Sequence, residues 1–101
     1  MAYAIYADNN RWVDILGPIY LDGQMSDAIK AYDKSRAGAG KIRALAAFYE
    51  AGATDDVPGV MKDITELLTA KPNMPKNVSE GFLCLTKLLK KCDKIAGIGE
   101  A

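Results

Sequence analysis

The sequence predicts an all-α fold: one small domain, residues 1–101, in which about five short helices form an irregular bundle. From residue 26 onward, apolar residues recur at the three- and four-residue spacings of one helix face. Candidate caps and glycine or proline stops separate these periodic segments. A chain of 101 residues has the size of one domain and can bury one modest core. Residues 1–25 lack comparable signals and are the ambiguous part of the prediction.

The first two predicted helices flank a glycine-rich break. One spans about 26–35 and places Ile29 and Tyr32 inward, with small residues beside them that allow close approach. The other spans about 41–51, and Gly52 supplies its C-terminal stop. The apolar stripe of this second helix consists of Ile42, Leu45, Phe48 and Tyr49.

Two further helices are predicted in the second half of the chain. One starts at the acidic cap Asp55-Asp56, has Pro58 in its first turn and ends before Pro72. Its apolar positions are Val60, Met61, Ile64, Leu67 and Leu68. The last helix starts near Asn77, and after Asp93 two glycines end it. Its inward positions are Val78, Phe82, Leu85, Leu89 and Cys92.

Residues 1–25 have two interpretations. A helix can start at Asn9 or Asn10, run through the apolar residues from Trp12 onward and break at Gly17-Pro18. Residues 2–7 either extend that helix backward or form a strand. The helix is favoured because a lone hairpin on a helical domain is the rarer architecture.

A short internal echo suggests two tandem helical hairpins. Tyr20–Ala28 and Tyr49–Val57 match at a spacing of 29 residues, and each has a helix end, a glycine turn and an acidic helix start. The turn resembles that of helical-hairpin repeats such as the tetratricopeptide and pentatricopeptide classes. The period fits neither class and no third copy follows, which favours capping chemistry common to both turns as the explanation.

Charge and hydropathy restrict the partners and the compartment. Thirteen Lys and Arg balance thirteen Asp and Glu, whereas a dedicated nucleic-acid binder usually has a basic excess. Residues 71–94 nevertheless hold six lysines against Glu80 and Asp93. No apolar run approaches the ~18 residues of a membrane span. No basic residue precedes the N-terminal apolar residues, as it would in a secretory signal. We therefore expect a cytoplasmic protein without a membrane partner.

The residue types argue against catalysis. The chain contains no histidine, which removes the commonest general base, the usual partner of Ser or Cys nucleophiles and the commonest zinc ligand. Cys84 and Cys92 are separated on one helix by about 12 Å of rise, which is beyond disulfide reach, and are expected to be buried free thiols. We expect no enzyme activity, no catalytic residues, no cofactor and no metal.

Two motifs admit a functional interpretation. Asp55 with Asp56, and Asp63 with Glu66 on the outward side of their helix, could form a cation or acid–base site. The ligand spacing of a calcium loop is absent, which favours capping and a solvated face. Segment 37–41, Ala-Gly-Ala-Gly-Lys, is similar to a phosphate loop but lacks its first glycine and the Ser or Thr after the lysine.

Aromatic residues and lysines are the candidate partner-binding residues. Tyrosine combines a large contact area with a polar end and is enriched at interfaces, which selects Tyr3, Tyr6 and Tyr20 near the N-terminus. A stripe of lysines on the last helix fits an acidic partner or, as an alternative, the phosphates of a nucleic acid. These lysines are Lys87, Lys90, Lys91 and Lys94.

The leading hypothesis is a non-enzymatic small helical protein that acts through protein–protein contacts. It would bind another protein or copies of itself, as an accessory or assembly subunit or an inhibitor of the kind found in phages and bacteria. The first alternative is a nucleic-acid-associated regulator that uses the C-terminal lysine stripe. The second is a small-ligand binder or enzyme that uses the carboxylates or the 37–41 loop.

Overall fold

The computed structural model describes residues 3–6, 12–16, 23–70 and 74–100. Its helices are α1 (Gly23–Lys34), α2 (Arg43–Ala51), α3 (Val57–Ala70) and α4 (Lys76–Leu89). Its strands are β1 (Tyr3–Tyr6), β2 (Trp12–Leu16), β3 (Ala53–Thr54) and β4 (Ala96–Glu100). The predicted small helical domain is confirmed. The all-α class and the count of five helices are wrong, because the described ranges contain four helices and a sheet.

The four strands form one antiparallel sheet in the order β2-β1-β4-β3. β1 lies inside the sheet, between β2 and β4, and Ile5 is opposite Ile98 in the β1–β4 pair. Ile5 is fully buried, so β1 delivers one large apolar side chain to the core. The sheet thus joins strands from the two ends of the described chain.

The prediction of a helix that starts at Asn9 or Asn10 and runs through the residues from Trp12 onward is wrong. The structure places strand β2 at Trp12–Leu16, and residues 2–7 contain strand β1 at Tyr3–Tyr6. The remainder of the expected helix, residues 9–11 and 17–21, lies outside the described residues. Strand conformation is consistent with the β-branched and aromatic residues of both segments. Pairing with β4 also supplies the additional strand that an isolated hairpin lacks.

Gly52 ends α2 and connects it to the sheet. Its φ is 77°, and its N–H donates to the carbonyl of Phe48 at 2.8 Å. Its own carbonyl accepts the N–H of Ile98 at 2.8 Å. A left-handed backbone costs a non-glycine residue about 1–2 kcal/mol, so glycine suits this position. The predicted stop at Gly52 is confirmed.

The N-terminus of α3 is capped as the acidic sequence predicts. The carboxylate of Asp56 accepts the N–H of Gly59 at 3.0 Å, and Thr54 Oγ1 accepts the N–H of Asp56 at 3.0 Å. The N–H of Val57 donates to the carbonyl of Lys94 at 3.1 Å. This last bond ties the start of α3 to the segment that leads into β4.

The buried residues of the described ranges form a hydrophobic core between the helices and the sheet. The residues predicted to face inward are largely buried in it: Ile29, Tyr32, Ile42, Leu45, Phe48, Val60, Ile64, Leu67, Val78, Phe82, Leu85, Leu89 and Cys92. Tyr49, Met61 and Leu68 are partly buried and pack against it. Each apolar Å² removed from water contributes roughly 25 cal/mol, so these stripes are the main source of stability.

The predicted end of the last helix, after Asp93, is wrong. α4 ends at Leu89, and the glycine-containing tail beyond it forms β4. Both cysteines are free, but Cys84 is only partly buried. The two copies of the internal echo occupy different positions, because Gly23 begins α1 whereas Gly52 follows α2. Within the described ranges, no helix has the length and apolarity needed to cross a membrane.

Candidate functional site

One face of α1 contributes to an open, mainly apolar groove of about 640 Å³. The lining residues of α1 and its C-terminal extension follow the spacing of a single helix face: Gln24, Asp27, Ala28, Ala31, Tyr32 and Ser35. The remaining described lining residues come from the loop after α1, the end of α3 and the segment before α4: Ala37, Ala70, Met74 and Pro75. Half of these ten residues are alanine or serine, so the backbone of a partner can approach α1 closely where they lie.

Tyr32 belongs both to the groove and to the core. It is 6% exposed, and its hydroxyl donates to Glu66 Oε2 at 3.5 Å. Burial, followed by the charge of Glu66 and this hydrogen bond, raises the pKa of Tyr32 above its ordinary value. The phenol is therefore neutral at physiological pH and remains a hydrogen-bond donor to Glu66.

Ser35 and Gly38 shape the end of the groove. Ser35 Oγ donates to the carbonyl of Tyr32 at 2.7 Å and accepts the N–H of Gly38 at 3.0 Å. A Cβ at position 38 would overlap the Tyr32 carbonyl oxygen and lie 2.7 Å from two carbons of its ring. Glycine thus lets the loop after α1 lie directly on Tyr32.

The side chain of Asp63, a residue of α3, lies at the N-terminus of α2. The loop 37–41 leads to the same helix end. Asp63 Oδ2 accepts the N–H of Leu45 at 3.1 Å. An anion bound at this helix end would face the carboxylate, which argues against a phosphate loop at 37–41. The expectation that Asp63 and Glu66 form a solvated outward face is wrong: both are partly buried and reach neighbouring helices.

A second, more polar groove of about 410 Å³ lies where α1 faces α2. Its charged lining residues are Lys30, Asp33 and Glu50. Tyr49 also lines it, and the hydroxyl of Tyr49 donates to Met25 Sδ at 3.6 Å. With a lysine among its two acids, this groove has no strong preference for one sign of ligand charge.

The structure distributes the predicted tyrosines and lysines over separate places. Tyr3 and Tyr6 lie in β1, and Tyr6 is partly buried. The side chain of Tyr3 and all of Tyr20 lie outside what the structure describes. The four lysines are exposed, but only the first lies in α4, so they do not form one continuous helical stripe: Lys87, Lys90, Lys91 and Lys94. None of the described candidates lines the α1 groove.

The groove itself was not predicted. The alanines at positions 28 and 31 indicate that another segment lies close to this helix. From the sequence alone, that segment could equally be a helix of the same core. Ala70, Met74 and Pro75 complete the lining from distant parts of the chain. Only the packing of α4 against α1 and of α3 against α4 brings these residues together.

Two further findings bear on what the groove could do: the metal-binding capacity of the described residues and the comparisons with known proteins. No three His, Cys, Asp or Glu side chains in the described ranges are placed to hold a metal ion. No protein-family model, curated protein or solved structure matches the chain. The function is therefore inferred from the groove and the surfaces of this chain.

Proposed function

We propose that this protein is a non-enzymatic binding protein that acts through contacts with another protein, as an accessory or assembly subunit or an inhibitor. The observation that carries the proposal is the open, mainly apolar groove along α1. Exposed apolar concavities of this kind mark places where a partner removes surface from water. We infer a different protein as the partner, because two copies related by a two-fold axis would bring groove against groove, and these shapes are not complementary.

A helix is the partner element that suits this groove. α1 has 12 residues and is therefore about 18 Å long, which matches about three turns of a partner helix. Because Ala28 and Ala31 are small, the backbone of the partner helix can come close to α1. The partner helix then supplies the larger apolar side chains that fill the groove. Such helix-in-groove recognition uses anchors at the i, i+3, i+4 and i+7 positions of the bound helix.

The polar groups of the groove support a protein partner over a small ligand. Small-molecule sites usually aim a few polar groups at the ligand. Here the hydroxyls of Tyr32 and Ser35 are directed to acceptors within the chain. Asp27 is the charged residue in the described lining and is exposed, so a basic partner residue would find a counter-charge there.

We place this function in the cytoplasm. Cys84 and Cys92 are free, and Cys84 is partly accessible. Accessible unpaired thiols are usual in a reducing compartment and uncommon in small secreted domains.

Glutamate substitution in the groove tests the proposal. Ala31→Glu places a charge in the apolar lining, whereas Ala47→Glu places the same charge on the exposed side of α2, outside the groove. We expect affinity capture from the native host to recover the same partner with the wild type and with Ala47→Glu, and to lose it with Ala31→Glu.

Two results would contradict the groove as the contact. One is equal recovery of the partner by Ala31→Glu and Ala47→Glu. The other is self-association in light scattering that Ala31→Glu abolishes, which would assign the groove to a second copy of this chain. Circular dichroism of both variants controls for folding, because both alanines are exposed and tolerate a larger side chain.

A further inference from the structure

The large apolar side chains that stay exposed in the described part of the chain lie close to the lysines. Leu83 and Ile95 are each 53% exposed. Leu83 precedes Lys87 by four residues and Lys90 by seven, and Lys90 retains helical angles of φ −63° and ψ −20°. Lys90, the C-cap residue directly after α4, therefore continues the side of the helix that carries Leu83 and Lys87. An exposed leucine and two lysines on one helix side form a surface that is both basic and apolar.

Charge is segregated along the chain. Residues 74–95 contain five lysines and two acids, a net charge of +3. Because the whole chain is neutral, the remaining residues carry −3. The basic excess is a local property of α4 and the segment that follows it, which the overall composition conceals.

Neighbouring acids reduce the positive charge at the margins of this region. Glu80 forms an exposed i,i+4 ion pair with Lys76 at 3.9 Å, so each offsets the other. Asp56 lies near Lys94, because the adjacent Val57 N–H donates to the Lys94 carbonyl. Lys87 in the last turn of α4 and Lys90 directly after it lie between these margins, and exposed Asp93 is the nearest acid along the chain.

We infer that Leu83, Lys87 and Lys90, here called the basic face, bind an acidic amphipathic segment of a partner protein. Carboxylates of the segment pair with the lysines, and its apolar side chains cover Leu83. A nucleic acid offers phosphates but leaves this aliphatic side chain uncovered, and the basic face has no aromatic residue for base stacking. The basic face is separate from the α1 groove, and its binding does not require the groove to be occupied.

Defined probes test this inference with the full chain. The main probe is a fluorescein-labelled peptide with Glu and Leu at helical spacing, and its anisotropy is followed at low salt. The comparison probes are a poly-glutamate peptide of equal charge, a short DNA duplex and vesicles of phosphatidylcholine with phosphatidylserine. We expect the Glu/Leu peptide to bind most tightly and its affinity to fall as salt is raised.

Paired charge reversals locate the binding. Lys87→Glu combined with Lys90→Glu is expected to weaken binding of the Glu/Leu peptide about tenfold or more, which corresponds to two exposed charge pairs reversed. Lys41→Glu combined with Lys62→Glu alters the net charge equally at exposed positions elsewhere, and is expected to change the affinity by less than about twofold. Leu83→Ser is expected to weaken the Glu/Leu peptide and leave poly-glutamate unchanged.

Each opposite outcome overturns the inference. Tighter binding of DNA assigns the face to nucleic acid, and tighter binding of vesicles assigns it to a lipid surface. Equal binding of poly-glutamate removes the role of Leu83. Equal losses in the two lysine pairs reduce the effect to net charge. Ala31→Glu is expected to bind the Glu/Leu peptide as the wild type does, so failure here and failure of the groove are distinguishable.

Discussion

α2 and α3 both begin with a carboxylate at the helix N-terminus, but the two carboxylates come from different places. Asp56 directly precedes α3 and bonds to the N–H of Gly59, three residues on. Asp63 lies inside α3 and bonds to the N–H of Leu45 in α2, 18 residues earlier in the chain. The side-chain cap of α3 therefore comes from its own segment, whereas the side-chain cap of α2 depends on α3 being folded and docked.

The same dependence on α3 extends to α1. Glu66 follows Asp63 by three residues, which puts both on one side of α3, and it accepts a hydrogen bond from Tyr32 of α1. One side of α3 thus serves two neighbouring helices. Because Tyr32 also lines the α1 groove, α3 helps to position the lining of the proposed binding site.

Removal of the distant cap is expected to have the larger effect. Asp63→Ala leaves the N–H of Leu45 without its acceptor and removes a link between α2 and α3. We expect a loss of about 2 kcal/mol in the free energy of unfolding, measured by urea denaturation. In hydrogen exchange, the amides of α2 should lose more protection than those of α3. Asp63→Asn keeps an oxygen acceptor and should recover most of the loss; an equal loss in both variants would contradict the cap.

Removal of the local cap is expected to have a smaller and more confined effect. Asp56→Ala should lower the free energy of unfolding by about 1 kcal/mol, with lost protection in the first turn of α3. Asp55→Ala is the matched control, since it removes an adjacent exposed acid of equal charge. If Asp55→Ala costs as much as Asp56→Ala, the effect comes from charge near the helix end and not from the hydrogen bond.

The Tyr32–Glu66 contact predicts a pH dependence at high pH. The pKa of Tyr32 is higher in the folded chain than in the unfolded chain, so its contribution to stability is complete below about pH 10 and is lost as pH rises through the folded pKa. Unfolding free energy measured between pH 8 and 11 should therefore fall more steeply for the wild type than for Tyr32→Phe.

The same measurement separates the effect of burial on the pKa of Tyr32 from the effect of Glu66. Burial is the largest cause of the raised pKa, and the charge of Glu66 and its hydrogen bond add to it, so Glu66→Gln should retain part of the extra slope and lose the rest. Identical slopes for the wild type and Tyr32→Phe would contradict a raised Tyr32 pKa in the folded chain. This is the smallest of the expected effects near neutral pH, because the phenol is neutral there in both states.

The success of the helix predictions follows from the range of the forces involved. The Gly52 stop and the Asp56 cap act over four residues or fewer, and the apolar stripes repeat within one helix. The exposed lysines followed from the same local reasoning, although the end of α4 at Leu89 divides them. Protein binding by the groove and by the basic face stays a prediction, to be tested with Ala31→Glu and with the paired lysine reversals.

The N-terminal segment shows where local reasoning fails. Trp12–Leu16 has an apolar pattern compatible with a helix or a strand, and the choice depends on pairing with β1. β1 in turn pairs with β4, whose glycine-containing sequence indicated only the end of a helix. No local pattern relates Ile5 to Ile98, so the sheet could not be predicted from either end of the chain alone.

By itself, the sequence determined the four helices of the described chain, their inward faces, the Asp56 cap and the lack of histidine, because these depend on residue type and short-range spacing. The tertiary structure alone decided the sheet, the cap that Asp63 provides for α2 and the lining of the α1 groove. Each of these joins groups that are distant in sequence, and they meet only when burial of the common apolar core brings their segments together.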